Sequence, residues 1–181
     1  FTPSGHKMRL GRRHSELLVL LARHPEGLTG DELLCCLYED ESVTPVTLRA
    51  ELARLRRVLG PGVLESRPYR LAVPVESDLS VVERRLESGA VTAAAAAYCG
   101  PLLPLSQAPA VARIRRRLAD GLRAALIARG DPDLLADWAH APWGEDDLEV
   151  WRALAAARPA PPVLARLAAL DAEQGAGPYA T

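Results

Sequence analysis

One helix constrains this chain more than any other feature. Thr44-Pro45 opens it, with Thr suited to the N-cap and Pro to the first helical position, and Gly60-Pro61-Gly62 stops it. Between them Leu48, Leu52, Leu55 and Leu59 recur at i, i+4, i+7 and i+11, a single stripe on a 3.6-residue period. Thr47, Glu51, Arg54 and Arg57 or Val58 lie on the other side, flanked by Arg49, Ala53 and Arg56. A leucine stripe has to be covered by other elements, so the helix 45–59 implies a packed domain that presents an arginine-bearing face outward.

The neighbours supply that cover in a definite order. Residues 11–24 predict a helix with Leu17, Leu18, Leu20 and Leu21 on its apolar face, ended by Pro25-Glu26-Gly27. Met8–Leu10 before it predict a short strand. Thr29 and Glu32 have the spacing of a capping box and start a helix running to about Tyr38. Glu39-Asp40-Glu41-Ser42 is an acidic connection. After the arginine-bearing helix, the runs 63–66 and 69–73 predict a small hairpin with a basic tip at Arg67-Pro68.

From Pro74 onward the pattern is helical throughout. Helices are predicted at about 79–88, 90–98, 109–129, 132–140, 145–157 and 161–174, six in three pairs. The division into domains is therefore a lead-in at 1–8, a first domain at 9–75, a helical domain at 76–175 and a tail at 176–181. Scarce aromatics and abundant Ala and Leu agree with a mainly α chain.

Charge is unevenly placed. Residues 1–75 hold 11 Lys/Arg against 9 Asp/Glu, and residues 76–181 hold 11 against 14, so the net −1 divides as +2 and −3. Within 45–70 stand six arginines (Arg49, Arg54, Arg56, Arg57, Arg67, Arg70) against Glu51 and Glu65. Helix, turn, capped helix, arginine helix and basic hairpin are the parts that duplex DNA requires. The major groove admits one helix, whose arginines and short polar side chains read base edges, while phosphate contacts set the register.

These residues also carry a family resemblance. Thr44-Pro-Val-Thr-Leu-Arg-Ala-Glu-Leu-Ala-Arg-Leu-Arg-Arg-Val-Leu-Gly60, followed by Ser66-Arg-Pro-Tyr-Arg-Leu71, resembles the winged helix of the OmpR/PhoB type, whose wing closes on Gly-Tyr-Arg-Leu; Pro68 stands here where that family carries glycine. Leu28-Thr29-Gly30-Asp31-Glu32-Leu33-Leu34 through Leu71, then Tyr98-Cys99-Gly100-Pro101-Leu102-Leu103-Pro104, is similar to actinobacterial transcriptional regulators that carry a GAF sensor upstream. The last run is also similar to the bacterial transcriptional activator domain, a tetratricopeptide-like helical domain.

The resemblance implies a mainly α fold: a winged helix-turn-helix with a β-hairpin wing, joined to a domain of helical hairpins. It implies a recognition helix at 45–59, with Thr47, Ala50, Glu51 and Arg54 toward bases. Arg12, Arg13, Thr44, Arg49, Arg56 and Arg57 would lie toward the DNA backbone, and Arg67 and Arg70 in the wing. Double-stranded DNA is the partner implied, with RNA polymerase and a second copy of the chain as further ones. The chain starts at Phe1, so ligand sensing is expected from a domain upstream.

Other readings have less behind them. No Gly-rich phosphate loop, G-x-S-x-G or H-E-x-x-H occurs, and His14-Ser15-Glu16 are neighbours that point to different sides of a helix, so catalysis is not expected. No cofactor and no metal site is expected, because no cluster of ligating residues is spaced for one. Cys35, Cys36 and Cys99 read as buried, reduced thiols. The absence of a long apolar run or secretory signal predicts a cytoplasmic protein away from the membrane. Trp138, Trp143, Trp151 and His140 gather around Pro142; packing between helices is expected there, with His140 at a helix end, and a pocket is the other reading. Arg113, Arg116 and Arg117 share one face of the long helix, a solvated face by default. A protein-interaction adaptor that binds no DNA is the rival reading, and Glu51 on the reading face is its main support.

Overall fold

The structure is a computed structural model that describes residues 9–39 and 43–175. The lead-in 1–8, Met8 of the expected strand, most of the acidic connection and the tail 176–181 lie outside them; Arg9 and Leu10 are not in a strand. The described chain is mainly helical: α1 (Arg12–Arg23), α2 (Gly30–Leu37), α3 (Pro45–Leu59), β1 (Leu64–Glu65), β2 (Arg70–Leu71), α4 (Asp78–Glu87), α5 (Val91–Ala97), α6 (Pro109–Arg129), α7 (Pro132–Ala139), α8 (Leu148–Ala157) and α9 (Pro161–Gly175). None of these helices is long and apolar enough to cross a membrane.

The chain forms two compact units. The first comprises the residues up to Ser77 together with Leu102–Arg117; the second comprises Asp78–Pro101 and the residues from Leu118 onward. The sequence gives no hint of this interleaving, because Ile114, Leu118, Leu122 and Leu126 form one unbroken apolar stripe. The structure divides α6, giving residues up to Arg117 to the first unit and those from Leu118 to the second.

In the first unit, Leu17, Leu20 and Leu21 of α1 pack with Leu33 and Leu37 of α2 and with the stripe Leu48, Leu52, Leu55 and Leu59 of α3, all between 0% and 4% exposed. Burial of each such leucine stabilises by roughly 1.5–3 kcal/mol. Ala108, Ala110 and Val111 complete the same core from the returning segment. The capping box at the start of α2 is present. Glu32 N–H donates to Thr29 Oγ1 at 3.3 Å and Thr29 N–H donates to Glu32 Oε2 at 2.7 Å. The Thr29 N–H, followed by the Thr29 hydroxyl donating to Glu32 Oε2 at 2.8 Å, holds the Glu32 carboxyl below its usual range.

The hairpin is shorter than its sequence suggests. β1 and β2 are antiparallel, with Leu64 opposite Leu71 and Glu65 opposite Arg70. At the tip, Arg67 sits at φ 70 before a cis peptide to Pro68. The hairpin is fastened to the α1–α2 turn by Leu28 N–H to Tyr69 O at 2.9 Å and Tyr69 N–H to Leu28 O at 2.8 Å. Gly27 makes that closeness possible: its φ is 93, and a Cβ there would lie 2.6 Å from Pro68 Cγ.

A buried polar pair ties the returning segment to α1. Glu16 and Ser106 are each 1% exposed, and Ser106 Oγ donates to Glu16 Oε1 at 2.7 Å. The same oxygen accepts from Ala108 N–H at 3.2 Å. Arg13 Nη1 lies 2.7 Å from Glu16 Oε2, an ionic contact that balances the buried carboxylate. Arg115 closes the loop before α6 by donating to the carbonyls of Leu102, Leu103 and Ser106.

The second unit is built from neighbouring helices, α4 against α5, α7 against α8 and α8 against α9. Its core includes Leu79, Val82, Ala94, Leu122, Leu126, Leu135, Leu154 and Leu170. Tyr98 stacks on Trp138 at 5.5 Å between centroids, and Trp143 meets both edge-on. His140 is the C-cap residue of α7 and sits edge-on to Trp151 at 5.3 Å. A cavity of about 580 Å³ lies between α5, α7 and α6 from Leu126, walled by Tyr98, Trp138 and Trp143, so these aromatics both pack helices and line a pocket.

Candidate nucleic-acid interface

α3 is positioned by its leucines. With Leu48, Leu52, Leu55 and Leu59 inward, the helical period turns Val46, Ala50 and Arg57 most directly outward, with Arg54 and Thr47 on one shoulder and Ala53 and Arg49 on the other. Thr47, Arg49, Ala50, Arg54 and Arg57 are exposed. Val46, at 67% exposed, is the barest large apolar side chain of the helix. Val46 and Ala53 are absent from the expected reading face, although counting residues from the leucine stripe places Val46 near its centre and Ala53 as close to it as Arg54. Thr44 holds the N-cap position without a side-chain cap bond, and its hydroxyl lies 3.4 Å from that of Thr47.

The arginines fall into two groups. Arg12, Arg49, Arg57 and Arg67 are exposed and make no ion pair or side-chain hydrogen bond among the described residues. Others have partners inside the unit. Arg56, expected toward phosphates, braces α3 against the hairpin: its Nε donates to Leu64 O at 3.2 Å, its Nη2 donates to Ser66 Oγ, and its guanidinium lies 5.8 Å from the Tyr69 ring centre. Arg13, also expected at the backbone, contacts Glu16 and lies 4.3 Å from the Tyr38 ring centre. Arg70 of β2, expected in a wing, pairs across the strands with Glu65 at 2.7 Å. Sequence spacing alone assigns no partners, so free and engaged arginines look alike in it.

Glu51 does not stand bare on the outward face. One carboxylate oxygen accepts from Arg54 Nη1 at 2.6 Å, and the other lies 3.4 Å from His14 Nε2 of α1. Its side chain is 21% exposed, against 57% for Arg54. The carboxylate is thus paired with Arg54 and lies at the edge of the face.

Elsewhere the cysteines differ from expectation: Cys35 and Cys99 are exposed and Cys36 is half-buried, all as free thiols. Burial pushes the Cys36 thiol up, opposed by the nearby charge of Arg113. Arg113, Arg116 and Arg117 are all exposed. Among the described residues no three His, Cys, Asp or Glu side chains are grouped to hold a metal ion.

Comparison with known proteins reaches only part of this. The family described as "YTH3-like protein, third C-terminal helical domain" matches residues 131–176, the stretch that holds α7 to α9. The chain is 39% identical over 176 residues to an "Uncharacterized 47.3 kDa protein in thcA 5'region" of Rhodococcus erythropolis. That alignment takes in 94% of this chain and 40% of the relative, so the chain spans well under half the length of the protein it matches. No solved structure matches.

Proposed function

We propose that the first unit is a winged helix-turn-helix that binds double-stranded DNA, and that the chain serves a transcription regulator. α3 enters the major groove with Thr47, Ala50 and Arg54 toward base edges. The hairpin is the wing, with Arg67 on the adjacent backbone or minor groove. The observation that carries this reading is the division of the arginines. Arg49 and Arg57 on α3, Arg67 at the hairpin tip and Arg12 at the start of α1 are exposed and have no partner among the described residues, while Arg13, Arg56 and Arg70 are engaged within the unit. Exposed cations at these positions on α3, the hairpin tip and the start of α1 fit a phosphate backbone. The reading also draws on the resemblance to actinobacterial regulators, which implies a sensor domain upstream and a tetratricopeptide-like second unit.

The adaptor reading drew its strength from a bare carboxylate on the reading face. With Glu51 held by Arg54 and His14, that objection to DNA weakens. The test is fluorescence anisotropy of short duplexes across a salt series. Four phosphate contacts give a log–log slope of about −3.6, and Arg57→Ala lowers its size by about 0.9. Absence of binding at low salt would refute the reading and leave the adaptor.

A further inference from the structure

Resting on that reading, we infer that Glu51 is a positioning residue for Arg54, and that His14 of α1 anchors it. The sequence alone makes Glu51 a base reader; its surroundings give it another task. Its two oxygens are divided between two helices, 2.6 Å to Arg54 Nη1 on α3 and 3.4 Å to His14 Nε2 on α1. His14 is 17% exposed, and its Nε2 is buried with no hydrogen-bond partner among the described residues. A solvent-exposed pair three residues apart on a helix is loose and contributes little. Here the second carboxylate oxygen lies against a buried ring nitrogen of another helix, and the Glu51 side chain is only 21% exposed, so its position is set by α1 as well as by α3.

The consequence concerns direction. Arg54 is 57% exposed, and a free arginine at that position would choose between a base and the nearest phosphate. Phosphates take the larger share of protein–DNA hydrogen bonds. A carboxylate fixed beside the guanidinium repels phosphate and accepts one N–H, leaving other N–H groups for a bidentate contact with guanine O6 and N7. Glu51 therefore lowers affinity for DNA in general and raises discrimination at one base pair. α1, which reaches no base, takes part in specificity through His14.

The experiment is selection from a random-sequence duplex library with the full chain, run in parallel for the parent, Glu51→Ala, Glu51→Gln, His14→Ala and Arg54→Ala, each first checked for folding by thermal unfolding. In the parent, one base position depends on Arg54, with a preference of about 5- to 150-fold that disappears in Arg54→Ala. Glu51→Ala is expected to flatten that same position to within about 2-fold while binding random duplex as tightly as the parent or a few-fold tighter. Glu51→Gln, which still accepts from Arg54, keeps an intermediate preference, and His14→Ala moves in the same direction as Glu51→Ala. A purely structural role for Glu51 would instead weaken binding to every sequence. If the parent shows an Arg54-dependent preference and Glu51→Ala retains it, the positioning role is overturned and the DNA reading stands. If the parent binds no duplex at low salt, the DNA reading falls and this inference with it.

Discussion

Ser106→Ala tests the tie between the returning segment and α1. Ser106 Oγ is a donor to Glu16 and an acceptor for Ala108 N–H, both buried. Removing it withdraws a charge-assisted bond from a carboxylate that is 1% exposed, a loss of about 1.5–3 kcal/mol. It also leaves the Ala108 N–H without its acceptor, for about 1 kcal/mol more. Arg13 stays 2.7 Å from the other oxygen and limits the damage, and the hydroxyl's own desolvation cost is relieved, so the net is about 2–3 kcal/mol. All three tryptophans (Trp138, Trp143 and Trp151) lie in the second unit and do not report on the first. Hydrogen exchange of the α1 amides, for example Leu17 to Leu21, is the suitable readout. Exchange through global opening of the unit should speed by about 30- to 150-fold, at a factor of ten per 1.36 kcal/mol. In a Glu16→Leu background, where no charge is left to satisfy, Ser106→Ala should cost at least about 1 kcal/mol less. A loss under about 0.5 kcal/mol, or equal losses in both backgrounds, would refute the assignment of Ser106 as the donor that makes a buried Glu16 tolerable.

Three further outcomes are expected. Gly27→Ala must hold alanine at φ 93 with its Cβ against Pro68, and should destabilise the first unit by about 2 kcal/mol or more, measured by urea unfolding with hydrogen exchange at Leu28 and Tyr69. Glu32 has its carboxyl held below the usual range by the N-cap N–H. Its contribution is complete above the unfolded carboxyl's pKa and is lost as pH falls through the lower folded value. The melting-temperature gap between parent and Glu32→Gln should therefore be widest near neutrality and close in acid. Burial raises the Cys36 thiol while Cys35 and Cys99 are exposed, so mass-resolved alkylation near pH 8 should label Cys36 last.

Much of the local structure follows directly from residue order. The bounds of α3 and α6 coincide with those expected, 45–59 and 109–129, because Thr44-Pro45, Gly60 and Gly130 are start and stop signals acting on adjacent backbone groups. The capping box at Thr29 and Glu32 is equally local, two side chains serving N–H groups three residues apart. The leucine stripe of α3 reads as its buried face because 3.6-residue periodicity and burial are the same statement. Even the outward face of α3 was available in principle; Val46 and Ala53 follow from the same wheel once charge is set aside.

The remainder depended on partners distant along the chain. Ser106 meets Glu16 from 90 residues away, and no local pattern marks Glu16 as the buried acid among the charged residues of its helix. Arg56 and Arg57 are neighbours of one type, yet Arg56 braces the hairpin and Arg57 has no partner among the described residues, because only one of the two directions meets Leu64 and Ser66. Glu51 changes meaning by standing beside His14 of another helix. Sequence by itself determined where helices begin, end and turn their apolar sides, since backbone hydrogen bonding and burial periodicity act within a few residues. Tertiary structure alone decided that α6 serves two units and which arginines are engaged by neighbours, since a charge takes the partner that packing brings within reach.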